Sequence, residues 1–228
     1  MAGGAGSRMG LSTKVTNKHL LCVYNMPMIM YPLRTLKSMG IKEILIVSSR
    51  EHVGDMIELL GSGSDFGFGF TYRVQDEFDG IAGALCLAES FIGNDFFATI
   101  LGDNYFEQDI NIGDIERREA KIFLTRANDP KRFGVVEIKG KQVINIIEKP
   151  DKPKSNLIAT GIYIYDKNVF STIKKLKKSD RNEYEITDVH NEYIKRGLLR
   201  YSMINGFWSD MGAPESLLKT AAFIGGEE

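Results

Sequence analysis

The chain has 228 residues, 43% of them hydrophobic, which suffices for one well-buried core with at most a subdomain. Lys plus Arg is 29 against 30 for Asp plus Glu, a net charge of −1 without the basic excess of a duplex binder, so no nucleic-acid partner is expected. No apolar run nears about 18 residues and no charged-then-apolar leader opens the chain, so neither a membrane span nor a signal peptide is expected, and the protein reads as cytoplasmic.

Short apolar runs alternate with amphipathic ones through the first half. Glu43–Ser49, Phe70–Gln75, Phe96–Asp103 and Lys121–Ala127 read as strands, being short and rich in β-branched and aromatic residues. Met28–Gly40, Glu51–Gly61 and Asp79–Gly93 read as helices, each ending at a glycine. This alternation implies an open, mostly parallel sheet with right-handed crossovers, a Rossmann-like α/β core. After Asp129 the pattern changes. Gly134–Lys149 reads as a hairpin turning at Lys139-Gly140-Lys141, and Leu157–Asp166 as a strand. A helix over Glu185–Gly197, a strand over Leu199–Ile204 and a last helix over Ala213–Gly225 complete a mixed α/β lobe. The expectation is one domain over residues 1–228, its N-terminal half nucleotide-binding and its C-terminal half sugar-phosphate-binding. Cys22 and Cys86 are too few for a disulfide framework or zinc site and read as reduced, buried thiols. His19, His52 and His190 form no ligand-spaced cluster.

The opening "MAGGAGSRMG" fits neither a dinucleotide fingerprint, whose third glycine would fall at Met9, nor a P-loop. Its glycines still allow backbone N–H groups to converge on an anion, with Arg8 as a charged fork and Lys18 following. By itself the segment reads equally as an N-terminal tail with an incidental arginine. "LGDN" puts Asp103 at the end of an apolar strand, where ligands of open α/β sheets sit, although a lone aspartate there is commonly a turn residue. "FWSDMGAPES" supplies a second such carboxylate, Asp210, and two aspartates can hold Mg²⁺ together with phosphate oxygens. "EKP" places Glu148 and Lys149 at another strand end.

These segments recur in order with "QDEFDGIAGAL", "DPKRFGVVE", "TGIYIYD" and "RNEYEITDV". Together they resemble the sugar-1-phosphate nucleotidyltransferase family over essentially the whole chain, most closely its members that use dTTP and glucose-1-phosphate. The resemblance implies the nucleotide-diphospho-sugar transferase fold and a Mg²⁺-dependent single displacement giving dTDP-glucose and pyrophosphate. It implies that Gly3, Gly4, Gly6 and Arg8 wrap the triphosphate, with Lys18 on a phosphate. Gln75 and Gly80 would read the pyrimidine, and Asp103 and Asp210 would hold Mg²⁺. Gly134, Glu148, Lys149, Thr160 and Tyr163 would line the hexose-phosphate pocket, with Arg181 near the sugar phosphate. The chain has Leu11 and Cys22 where the family usually has proline, Met26 where it has lysine, and Asn182 where it has glycine.

The partners implied are dTTP or UTP and a sugar-1-phosphate, with a homo-oligomer open. Alternatives are a UTP-dependent uridylyltransferase, a nucleotide-sugar-dependent glycosyltransferase, which needs no triphosphate loop, and a nucleotide-sugar-binding regulatory protein. In the resembled family an apolar strand of about five residues runs into the glycine loop, buried on both faces. Here only Met1 and Ala2 precede it. The expectation is a start upstream of this one, with the loop mobile or the groove filled by another segment, and higher stability and activity for a chain carrying the strand. The family's longer members add a helical segment with a regulatory nucleotide site, which is not carried over to a chain ending at Glu228.

Overall fold

The structure, a computed structural model, describes residues 1–4 and 6–226. Ala5 of the glycine loop lies outside the described residues. Two 3-10 segments, Ser7–Lys14 and Lys18–Leu20, lead into a hairpin of β1 (Cys22–Val23) and β2 (Met26–Pro27). α1 (Met30–Ser38) buries Tyr31, Pro32, Leu33, Thr35 and Leu36, more than a single face of the helix. β3 (Glu43–Ser49), α2 (Val53–Leu60) and β4 (Gly69–Gln75) form a strand–helix–strand unit in which the two strands pair in parallel. α3 (Gly80–Cys86) covers half its expected span, because the N–H groups of Leu87, Ala88 and Glu89 bond three residues back, a tighter winding that ends the α-helix.

The expected strand over Phe96–Asp103 is shorter, β5 (Phe97–Ile100), and a further strand not anticipated, β6 (Asn104–Phe106), begins just after Asp103. β7 (Ala120–Arg126), the hairpin β8 (Gly134–Lys139) and β9 (Gln142–Glu148), and β10 (Leu157–Tyr165) follow as anticipated. α4 (Asn168–Ile173) was not legible, being six residues long. α5 (Ile186–Lys195) and β11 (Leu199–Met203) match expectation. β12 (Trp208–Asp210), too short to read from the sequence, precedes α6 (Pro214–Gly225). Neither cysteine is buried as expected. Cys22 takes the outward position of a two-residue strand and Cys86 is half-buried at the end of α3; both thiols are free. No helix among the described residues is long and apolar enough to cross a membrane.

The chain divides into two compact units, the first comprising residues 1–78, 100–111 and the chain from Gly206 onward, the second residues 79–99 and 112–205. In the first, Val23, Met28, Tyr31 and Met211 form a core against which Leu217, Ala221 and Ile224 of α6 pack. Met1 and Ala2 lie in strand-like pairing on two sides. The Ala2 N–H donates to Val47 O at 2.7 Å, and Ala2 bridges Ser48 in parallel. The Met1 ammonium donates to Ile100 O at 3.0 Å, and Gly102 N–H to Met1 O at 2.8 Å. The glycine loop therefore leaves the carboxyl end of a sheet position beside β3, where ligand sites of α/β sheets form.

The second unit holds a sheet of order β11-β7-β10-β8-β9, with β5 also on β10. β7 and β11 run parallel, while β10 is antiparallel to both β7 and β8. Between Ala159, opposite Leu124, and Tyr163, opposite Ile122, β10 carries more residues than its partner, a bulge that includes Thr160. α5 is tied to edge strand β9 by Asn191, whose side chain accepts from Ile146 N–H at 3.0 Å and donates to Ile146 O at 2.8 Å.

Candidate active site

Two strand ends meet in the first unit. β6 and β12 pair antiparallel with Asn104 opposite Asp210, so Asp103, one residue before β6, stands beside the last residue of β12. The junction is fixed by Met211 N–H donating to Asp103 O at 2.8 Å, and by Trp208 Nε1 donating to Asn104 Oδ1 at 2.9 Å. Gly212 lies where the two carboxylates converge. A Cβ there would stand 2.7 Å from Asp210 Oδ1, 2.9 Å from Asp103 Oδ2 and 2.8 Å from Arg8 Nη2. Both carboxylates thus reach one small volume that only a glycine leaves open.

Cations cover the pair. The Lys18 ammonium donates to Asp103 Oδ2, and the Arg8 guanidinium reaches Asp210 Oδ2 at 3.2 Å through both terminal nitrogens. Asn104 Nδ2 and Gly212 N–H add hydrogen bonds to Asp103 Oδ1 (3.1 Å) and Asp210 Oδ1 (2.8 Å). Burial alone would raise the Asp103 carboxyl, but the Lys18 charge and these hydrogen bonds outweigh it and hold the carboxyl well below the usual range. Asp210 goes the other way, pushed up by burial and by the Asp103 charge against the pull of Arg8. The two neighbouring carboxyls are thus shifted in opposite directions, Asp103 by its close cation and Asp210 by burial beside the Asp103 charge.

The glycine loop arrives at the same place. Gly6 has φ +65°, and its carbonyl accepts from Met9 N–H at 2.8 Å and from the Thr13 hydroxyl at 3.1 Å. Gly4 lies against the Lys18 side chain. A Cβ on Gly3 would stand 2.7 Å from Gln75 Oε1, so the absent side chain is what lets the Gln75 amide lie against the loop. Asn17, missed in the sequence, anchors the root of the loop. It is 3% exposed, donates to Ala2 O at 3.1 Å, and accepts from His19 N–H at 2.9 Å. The His19 ring bonds the same Asn17 oxygen at 2.6 Å, and burial and Lys18 keep it neutral.

The second unit gathers the remaining candidates. Gly134 is opposite Glu148 in the β8–β9 hairpin. A Cβ on it would meet Thr187 Cγ2 at 2.8 Å, so glycine lets α5 approach the hairpin. Burial raises the Glu148 carboxyl despite Lys149 Nζ and Arg181 Nη2, each 3.6 Å from its Oε1. Arg181 instead docks on Glu185, Nε to Oε1 at 3.0 Å and Nη2 to Oε2 at 2.6 Å. Asn182, where the resembled family has glycine, has φ +60°, a conformation asparagine adopts more readily than most residues. Thr160 and Tyr163 are buried, the first donating to Phe123 O at 2.9 Å, the second with its ring 4.9 Å from His190. Gly80 belongs to this unit, with φ +89° against the backbone of Tyr184.

Among the described residues no group of three or more His, Cys, Asp or Glu could hold a metal ion. The Asp103–Asp210 pair would fit Mg²⁺, which binds through one or two carboxylates and completes its shell with water and substrate phosphates.

A carboxylate pair beside a cationic glycine loop at the end of an α/β sheet defines a protein that handles phosphoanhydrides, and the sequence comparisons agree. The nucleotidyl transferase family matches residues 1–227, and the chain belongs to that family. It is 40% identical to a glucose-1-phosphate thymidylyltransferase of Neisseria meningitidis and 37% identical to one of Mycobacterium tuberculosis. The matches cover 98% of this chain and 81% and 80% of those relatives. A Bacillus anthracis crystal structure, assigned provisionally as a glucose-1-phosphate thymidylyltransferase and holding a sucrose, superimposes with TM-score 0.92 and 49% identity. That match covers 97% of this chain and 92% of the other. A UDP-glucose pyrophosphorylase bound to UDP-glucose has TM-score 0.84 at 22% identity, with 99% and 96% covered, and shares the fold.

Proposed function

We propose that this nucleotidyltransferase joins dTTP and glucose-1-phosphate into dTDP-glucose and pyrophosphate with Mg²⁺ as cofactor. The observation that carries the reading is the convergence of Asp103, Asp210, Arg8 and Lys18 at Gly212, beside the glycine loop. Bound between the two aspartates, the ion would neutralise phosphate charge. The protein's own groups do the rest. Backbone N–H groups at Gly3, Gly4 and Gly6, with Arg8 and Lys18, bind the triphosphate and offset charge growing on the departing pyrophosphate. In the second unit Lys149 and Arg181 hold the sugar phosphate and Glu148 accepts from sugar hydroxyls. Gly134, Thr160 and Tyr163 shape that pocket, and Gly80 supports the nucleotide. The attacking phosphate oxygen is already an anion at neutral pH, so no general base is required. This agrees with His19 and His190 being buried and held neutral.

Pyrophosphate release across dTTP and UTP, crossed with glucose-1-phosphate, galactose-1-phosphate and an N-acetylated amino-sugar phosphate, tests the reading. The expected best pair is dTTP with glucose-1-phosphate. A preference for UTP would make the protein a uridylyltransferase, since a single methyl decides at most about 1–3 kcal/mol. Turnover of a nucleotide sugar without pyrophosphate would make it a glycosyltransferase.

Gln75 pairs its amide acceptor and donor with N3–H and O4 of a pyrimidine. Replacing Gln75 with alanine should weaken dTTP binding by about 1–3 kcal/mol and leave glucose-1-phosphate binding unchanged. Calorimetry showing purine triphosphates bound by the unmutated protein as tightly as dTTP would overturn this pocket.

A further inference from the structure

The Arg181 guanidinium is surrounded by three carboxylates, yet only one holds it. Glu148 and Glu183 stand 3.6 Å from Nη2, beyond hydrogen-bond distance. Glu185 takes Nε and Nη2 in a two-point fork at 3.0 and 2.6 Å. The Glu185 side chain is 10% exposed and the Arg181 side chain 39%. One edge of the planar guanidinium is therefore seated on a buried anion, and Nη1 makes no hydrogen bond among the described residues.

A small frame fixes both partners. The Ser179 hydroxyl donates to Glu185 Oε1 at 2.7 Å and accepts from Arg181 N–H at 3.3 Å. Ser179 N–H donates to Glu183 O at 2.9 Å, and Asn182 N–H to Ser179 O at 2.8 Å. A guanidinium has five donors in a rigid fork, so docking one edge decides where the other points. An undocked arginine would sample many rotamers and lose that orientation on binding.

We infer that Glu185 and Ser179 are positioning residues that seat one edge of Arg181 so that Nη1 is presented to the phosphate of the sugar-1-phosphate. The inference rests on the proposed reaction and deepens it. Glu185 touches no substrate and acts only through Arg181.

The test is initial-rate kinetics with dTTP and glucose-1-phosphate varied separately, alongside calorimetry of glucose-1-phosphate binding. Glu185→Gln keeps shape but sets an N–H₂ against a guanidinium donor. It should raise KM for glucose-1-phosphate about tenfold or more and leave KM for dTTP unchanged. Ser179→Ala should move the same constant in the same direction by less. In an Arg181→Ala background, Glu185→Gln should add nothing to the loss of glucose-1-phosphate binding. A Glu185→Gln penalty that persists undiminished without Arg181, or one that falls equally on dTTP, would overturn the positioning role while leaving the proposed reaction standing. Unmutated protein that neither binds glucose-1-phosphate nor releases pyrophosphate would overturn the reaction and the positioning role with it.

Discussion

Asp103→Asn and Asp210→Asn should each lower turnover about 10²-fold or more, with thermal melts showing a folded protein. Each change removes one anion and keeps most of the volume. It leaves a cation, Lys18 or Arg8, without its partner in a site built to hold charge in balance. Gly212→Ala should cost a comparable factor without removing any functional group. Its Cβ would lie under 3 Å from both carboxylates and from Arg8, a distance that real Cβ atoms avoid. The side chains must splay, and catalytic groups displaced by about 1 Å commonly lose about 10²-fold. A coupled pyrophosphate assay checks all three, and near-normal turnover for both asparagine variants would sink the metal assignment.

Local signatures nominated some of the candidate site without deciding it. A carboxylate closing an apolar strand pointed to Asp103 and a glycine-rich turn with a charged fork to the loop and Arg8, but each alone read as well as a turn residue or a tail, and only the ordered set of segments assigned them roles. Continuous apolar runs rich in β-branched and aromatic residues, β3, β7 and β10, were placed nearly to the residue. The elements that were missed are the ones whose existence depends on a distant partner. β12 has three residues and exists because β6 pairs with it. That ladder is also what brings Asp103 and Asp210 together, so the sequence named both aspartates without showing why they meet. Asn17, Ser179 and Glu185 were passed over for a related reason. Polar residues in loops and at helix starts read as solvated, and only tertiary contacts reveal that Asn17 and Glu185 are nearly buried, Asn17 bonded to Ala2 at the root of the glycine loop and Glu185 to Arg181. Asn182 stood out as a departure from the resembled family, and its left-handed backbone explains why it is tolerated.

His190 should make the fold sensitive to acid well above the range where carboxylates titrate. It is fully buried against Tyr163 and Tyr165, and its Nε2 hydrogen-bonds the Tyr165 hydroxyl at 2.6 Å. Nδ1 has no partner among the described residues. Burial pushes its pKa down from 6.5 to about 3. Below pH 6.5 the unfolded chain takes up a proton here that the folded chain refuses. The residue's contribution is therefore complete above pH 6.5 and declines as pH falls toward about 3. Each pH unit in that window costs about 1.4 kcal/mol, so roughly 2 kcal/mol is lost by pH 5. His19, also lowered by burial, adds a second slope of the same sign, while Glu148, Asp188 and Asp210, raised by burial, oppose it at lower pH. Comparing the protein with a His190→Phe variant cancels those shared contributions. The variant should be less stable at pH 7.5 by about 1–3 kcal/mol, because a buried tyrosine hydroxyl loses its partner. Its disadvantage should then shrink steadily as pH falls from 6.5 to 5. Urea unfolding at four pH values across this range measures the difference. A gap that stays constant between pH 6.5 and 5 would mean that His190 takes up its proton in the folded protein as readily as in the unfolded chain.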